Sequence, residues 1–146
     1  MTDTKSDEID TIAYAVSYYE AAQLIADSTD WADNNGLIVP FFALIGFSLE
    51  NGLKAVLDFR KVDQSIKWTH SHCLTKLRDL ARGQGLSIAP HVDDLIEQLA
   101  VPHFEHHFRY PQKATTLSLM KPPSVAAVTN DLLKVVFVYI DGPNRR

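Results

Sequence analysis

The sequence has a single cysteine, Cys73, among its 146 residues. One thiol can neither form a disulfide within the chain nor supply the thiolates of a zinc finger, so both kinds of scaffold are excluded. The longest apolar run near a terminus, residues 132–140, contains Lys134 and is too short to cross a bilayer, and residues 1–10 are polar and acidic. We therefore expect a cytoplasmic protein with neither a membrane span nor a secretory signal.

The sequence also lacks the motifs of several enzyme classes. Gly83 and Gly85 neither follow a predicted strand nor lead into Lys-Ser or Lys-Thr, as a phosphate-binding loop would require. No Ser, Cys or Asp lies in a nucleophile elbow. We therefore expect neither dinucleotide nor P-loop chemistry, and no cofactor.

The composition is that of one folded domain. Hydrophobic residues make up 46% and charged residues 22% of the sequence, and the length suits a single domain over 1–146 with its core at about 7–141. The formal charge of −4 argues against bulk nucleic-acid binding, but residues 1–53 hold nine acidic and one basic side chain, whereas 54–82 hold seven basic and three acidic ones. The basic segment could contact phosphates, or it could be a solvated surface.

Apolar residues at helical spacing predict four or five helices and no strand. Segment 39–59 is apolar on nearly every face, which is typical of a central helix. We therefore predict an all-α fold, a four- or five-helix up-and-down antiparallel bundle. The predicted helices span residues 6–26, 39–59, 74–81, a segment from 92 that kinks or restarts at Pro102 and ends at 110, and about 124–140, with 60–69 as a polar connection.

Three short passages, read in order, carry a family resemblance. They are Phe-Ser-Leu-Glu-Asn-Gly-Leu-Lys-Ala at 47–55, Thr-His-Ser-His-Cys-Leu-Thr-Lys-Leu at 69–77 and Phe-Arg-Tyr-Pro at 108–111. Together they resemble the HEPN family of helical nucleotide-binding domains, over roughly residues 10–140. The resemblance implies a four- or five-helix bundle, frequent homodimers, and functions around RNA as metal-independent endoribonucleases, as toxins partnered by nucleotidyltransferase antitoxins, or as non-catalytic RNA- or nucleotide-binding modules.

Catalytic members of that family carry Arg followed by His after four to six intervening residues. From Arg109 this window covers residues 114–116, which contain no His, and the windows after Arg60, Arg78 and Arg82 contain none either. We therefore predict a non-catalytic RNA- or nucleotide-associated binding or interaction module in a defence, toxin–antitoxin or regulatory setting.

The alternative is a metal-independent endoribonuclease that uses Arg109 with His106 or His107, or with His72 across a dimer cleft. An imidazole would take the proton of the RNA 2′-hydroxyl while the guanidinium holds the scissile phosphate. His103, His106 and His107 also have a spacing that could bring imidazoles to one metal ion, but the His-Glu-x-x-His order of zinc proteases is missing. A structural or surface role is favoured for this run, and no metal site is expected.

The binding candidates are Glu50, Lys54, His72, Arg109 and Tyr110. A buried Arg109 would keep its charge and need a carboxylate as partner, and Glu50 in the most apolar helix could supply it. His72, at the first turn of the next helix, could lie at the same height along the bundle axis. We predict that Glu50, His72 and Arg109 form one polar cluster at the centre of the bundle. The alternative is that Glu50 and Lys54 line a cleft that contacts phosphate or RNA.

The last helix carries apolar residues that could form an interface between two copies of the chain. On this basis we expect a homodimer that buries more than about 1,000 Å². The residues concerned are Val135, Val136, Val138 and Ile140.

Overall fold

The computed structural model describes residues 4–28, 32, 35–105 and 121–142. Within them the chain forms six α-helices and one 3₁₀ helix, and it contains no strand, so the predicted all-α bundle is confirmed. The elements are α1 (Thr4–Asp27), the 3₁₀ helix (Asn35–Leu37), α2 (Ile38–Phe59), α3 (Gln64–Thr69), α4 (Leu74–Gly83), α5 (Pro90–Phe104) and α6 (Pro122–Asp141).

α2 is the central helix, as its apolar sequence predicts. It contacts α1, α4, α5 and α6, and its buried face includes Phe41, Phe42, Ile45, Leu49 and Leu53. By length and composition alone, α2 and α6 would each be able to cross a membrane. Both pack against other helices of the bundle, and core helices of globular proteins meet the same criterion.

The short helix α3 lies in the segment that the sequence predicts as a polar connection. Asp63 explains its start, because its carboxylate accepts hydrogen bonds from the Ser65 amide at 2.8 Å and the Ser65 hydroxyl at 2.7 Å. An Asp at this position satisfies a free amide of the first helical turn. The prediction missed α3 because this helix has no apolar periodicity.

The structure decides part of the prediction for α5. The helix begins with Pro90 in its first turn and runs through Pro102 to Phe104, so it does not restart at Pro102. The predicted end at residue 110 lies outside the described residues. Pro102 lies in the last turn and has no N–H group, so the carbonyl of Gln98 receives no helical hydrogen bond from it. The amide of Glu105 still donates to the carbonyl of Val101 at 2.9 Å. The helical hydrogen bonding of α5 therefore continues past His103.

The apolar residues of α6 divide between the core and the surface. Val136 and Ile140 are buried within the chain, so the prediction that they form part of an intermolecular interface is wrong. Val136 and Ile140 are four residues apart and therefore share the face of α6 that packs on the bundle. Val135 and Val138 are exposed, as is Phe137.

Candidate functional site

A cluster of polar side chains lies between α2, α4 and α5. We call it the Glu50 cluster, and its members are Glu50, Lys54, Ser71, His72 and His103. Oε1 of Glu50 lies 2.9 Å from Nδ1 of His72 and 2.8 Å from Nε2 of His103. Oε2 accepts a hydrogen bond from Nζ of Lys54 at 2.8 Å, and Lys54 also donates to Oγ of Ser71 at 2.7 Å.

Two members of the cluster lie on α2, and two lie in the turn between α3 and α4. Glu50 and Lys54 are one turn apart on α2, where side chains at this spacing face each other. Ser71 and His72 lie in the turn that precedes α4, so the prediction that His72 occupies the first helical turn is wrong. The reason is that Cys73 has an extended backbone at the N-cap and α4 begins only at Leu74.

His103 completes the cluster from the last turn of α5, and Gly46 makes room for it. A Cβ atom at Gly46 would lie only 2.3 Å from Nδ1 of His103, a distance that no pair of such atoms tolerates. The ring of Phe47 packs edge-on against the imidazole with centroids 5.4 Å apart. The missing side chain at Gly46 therefore lets the imidazole of His103 approach α2 closely enough to reach Glu50.

The cluster is buried at His103 and exposed to solvent at His72. The exposed side-chain fraction is 4% for His103, 6% for Glu50, 15% for Lys54 and 40% for His72. An ionised carboxylate only accepts hydrogen bonds, so His103 donates from Nε2 and His72 from Nδ1. This arrangement holds the more exposed imidazole in one orientation at the surface.

The environment of Glu50 favours its charged form. Burial by itself would raise the pKa of this carboxyl, but the hydrogen bond from His103, the hydrogen bond and charge of Lys54, and the hydrogen bond from His72 outweigh burial. Together they lower the pKa of Glu50 from its ordinary 4.5 to about 2. Glu50 is therefore a carboxylate throughout the neutral range.

This shift predicts that the folded state loses stability in acid. A carboxyl whose pKa is lower in the folded than in the unfolded chain stabilises the fold above the unfolded pKa, and this contribution disappears as pH falls through the folded pKa. For Glu50 the loss should occur between pH 4.5 and about 2 and reach about 3 kcal/mol. Urea unfolding at a series of pH values should show this decline, and in Glu50→Gln the decline over the same window should be smaller by that amount.

The candidate residues from the sequence are only partly brought together. Glu50 contacts both Lys54 and His72, and its contact with His72 agrees with the prediction for this pair. Arg109 and Tyr110 lie outside the described residues, as do the catalytic candidates His106 and His107. His103 was not among the predicted site residues, because the sequence groups it with the nearby histidines rather than with α2.

The basic segment 54–82 is largely occupied with contacts inside the molecule. Lys61 and Lys76 are exposed and have no ion pair with any described residue. The other five basic residues bind neighbours: Lys54 binds Glu50, Arg60 binds Tyr139, Lys67 binds Asp58, Arg78 binds Asp79, Asp93 and Glu97, and Arg82 binds Asp93. Lys54, Lys67 and Arg78 are thus held in ion pairs with little exposure, whereas the other four basic side chains of the segment are exposed.

The Glu50 cluster also contains the donor types of a metal site. One oxygen of Glu50 and one ring nitrogen each of His72 and His103 lie within 4.8 Å of one another. Of these two histidines, only His103 belongs to the run of three whose spacing could bring imidazoles to one metal ion.

Comparison with known proteins yields no match for this chain among protein-family models, curated proteins or solved structures. The resemblance to the HEPN family therefore rests on the three sequence passages.

Proposed function

We propose that the chain is a HEPN-like RNA- or nucleotide-associated binding module without ribonuclease activity. One observation carries the proposal: Glu50 and His72, which come from two separate passages of the resemblance, are 2.9 Å apart, and the side chain of His72 is 40% exposed. The cluster thus presents an oriented imidazole to solvent.

The exposure of the side chains decides which member of the cluster could meet a ligand. Lys54 is 15% and His103 is 4% exposed, whereas His72 is 40% exposed. An imidazole can stack on an unpaired base and can hydrogen-bond to a base edge or a phosphate. Because the four exposed basic side chains of segment 54–82 are few for a long duplex, we infer a nucleotide or a short single-stranded RNA.

Fluorescence polarisation tests this proposal with labelled single-stranded RNA and with labelled nucleotides, in buffer containing chelator. His72→Ala should weaken binding by about tenfold, the loss expected for one stacked or hydrogen-bonded base contact. The matched control is His91→Ala, because His91 is a half-exposed histidine that also contacts a carboxylate, that of Asp131 at 2.8 Å. Absence of binding by the wild type, or equal losses in both variants, would contradict the proposal.

The alternative function, a metal-independent endoribonuclease, is favoured by one feature of the site. The carboxylate of Glu50 orients the imidazole of His72 as a general base is oriented in many enzymes. The family's spacing of Arg and His is nevertheless missing. We therefore predict that purified protein cleaves single-stranded RNA no faster than a buffer control, with or without divalent metal. Robust cleavage in chelator that is lost in both Arg109→Ala and His72→Ala would establish the alternative.

The proposal has three further parts: a homodimer, a cytoplasmic location, and a nucleotidyltransferase-type antitoxin as a possible partner. The exposed apolar side chains of Val135 and Val138 support the dimer, because their i, i+3 spacing places them on one face of α6 and exposed apolar surface is typical of contact sites. Sedimentation velocity at micromolar concentration should give a dimer, and Val138→Lys should shift it toward monomer. A wild-type monomer throughout that range would contradict this part.

A further inference from the structure

We propose that Glu50, His72 and His103 bind a divalent transition-metal ion of the zinc type. This inference goes beyond the proposed function and does not depend on it, because it concerns a metal and no nucleic acid. Two imidazoles and a carboxylate are the donors that zinc and its neighbours in the first transition row accept, and calcium or magnesium would prefer oxygen alone.

The three donor atoms are nearly placed for a common ion. Nδ1 of His72 and Nε2 of His103 lie 2.9 Å and 2.8 Å from the same oxygen, Oε1 of Glu50. An ion about 2.1 Å from each donor would hold neighbouring donors about 3.0 to 3.4 Å apart. Because all three atoms already lie within 4.8 Å of one another, small side-chain movements suffice to admit the ion.

With neutral imidazoles, metal binding would exchange hydrogen bonds for coordination without changing the number of protons. In the metal-free cluster both imidazoles donate an N–H group to Oε1 of Glu50. In the metal-bound form each ring would carry its proton on the other nitrogen and direct a lone pair at the ion. Glu50 is already a carboxylate and would coordinate through Oε1.

The residues around the donors decide how the ion would be held. Lys54 holds Oε2 of Glu50 at 2.8 Å, which leaves Oε1 for the metal and favours binding through one oxygen. Its positive charge also opposes a divalent ion, so the affinity should be lower than that of a site without a nearby cation. Gly46 and Phe47 fix the ring of His103, which lowers the cost of ordering that ligand.

The exposure of His72 gives this site an open side. Structural zinc sites are closed by four protein ligands, whereas sites with three protein ligands keep a position for water or another ligand. Here the described residues offer three donors, and the third of them, His72, is 40% exposed. We infer that the remaining coordination position faces solvent beside His72.

Isothermal titration calorimetry with the full chain tests the site. The protein is treated with chelator, exchanged into chelator-free buffer and titrated with zinc chloride, and separately with cobalt chloride while the visible spectrum is recorded. We expect one equivalent to bind and the cobalt spectrum to show the absorption of a site with nitrogen ligands. His72→Ala should weaken binding by more than about tenfold, since even supporting residues of metal sites contribute that much.

Two further variants separate this site from other histidines. His91→Ala should bind metal like the wild type, because His91 pairs with Asp131 away from the Glu50 cluster. His106→Ala/His107→Ala should also bind like the wild type. Circular dichroism checks that each variant is folded, and His72→Gln replaces His72→Ala if the latter is not.

The proposal is overturned if the wild type binds less than one equivalent at micromolar metal. The proposal is equally overturned if metal binding survives in the folded His72 variant. The same holds if the double variant His106→Ala/His107→Ala loses metal binding while His72→Ala retains it. Because no RNA is present in these titrations, their failure leaves the proposed binding function unaffected.

Discussion

Glu50→Ala should lower the free energy of unfolding by about 3 kcal/mol or more. The substitution removes the common acceptor of three donors, and the N–H of His103 then lies buried among apolar groups. Breaking one partner of a buried ionic group costs about 3 to 5 kcal/mol, because the remaining group loses water without gaining a partner. Urea denaturation followed by circular dichroism measures the change.

Asp131→Ala is the matched control for this prediction. Asp131 also accepts a hydrogen bond from a histidine, His91, at 2.8 Å, but both side chains are about half exposed. A pair of this kind is worth less than about 1 kcal/mol. Similar small losses in Glu50→Ala and Asp131→Ala would mean that Glu50 is hydrated in solution, which would contradict the buried cluster.

Gly46→Ala should also destabilise the fold, although alanine is the better helix former. The new methyl group would lie 2.3 Å from Nδ1 of His103, so the imidazole must move and its hydrogen bond to Glu50 must break. Overpacking and the lost hydrogen bond together exceed the helix-propensity gain of about 1 kcal/mol. We expect a net loss on the order of 2 kcal/mol, measured by the same urea denaturation.

Two comparisons isolate the contact with His103. A Cβ at Gly83, the last residue of α4, would meet no atom within 4 Å, so Gly83→Ala should leave stability unchanged or raise it slightly. In a His103→Ala background the clash is absent, and Gly46→Ala should then cost nothing more. If Gly46→Ala destabilises that background as much as the wild type, the methyl group acts elsewhere and the packing account of Gly46 is wrong.

The helices could be predicted where apolar periodicity specifies them. α2 is apolar on nearly every face, and its predicted bounds of 39–59 differ by one residue from Ile38–Phe59. The sequence could not reveal α3, because that helix is polar and depends on the capping carboxylate of Asp63. Nor could it decide between a kink and a restart at Pro102, because a proline is compatible with both, and the predicted end at residue 110 lies outside the described residues.

The site was half predictable for a related reason. A carboxylate in the most apolar helix needs buried partners, and the sequence offers His72 and Arg109 for Glu50. Arg109 lies outside the described residues, and the buried partner His103 was not predicted. Only the three-dimensional packing of α5 on α2 shows that the gap left by Gly46 is filled by His103. A glycine one turn before a buried Glu is the sequence signal that could have indicated such an approach.

A double-mutant cycle between Glu50 and His103 tests most directly whether the Glu50 cluster acts as one buried unit. The free energy of unfolding is measured for the wild type, Glu50→Ala, His103→Ala and the double variant. Residues in one buried network show coupling of about 0.5 to 3 kcal/mol, and the 2.8 Å contact predicts a value above about 1 kcal/mol, with the double variant losing less than the sum of the single losses. Losses that add within about 0.5 kcal/mol would show that Glu50 and His103 act independently, and they would contradict the cluster on which the proposals depend.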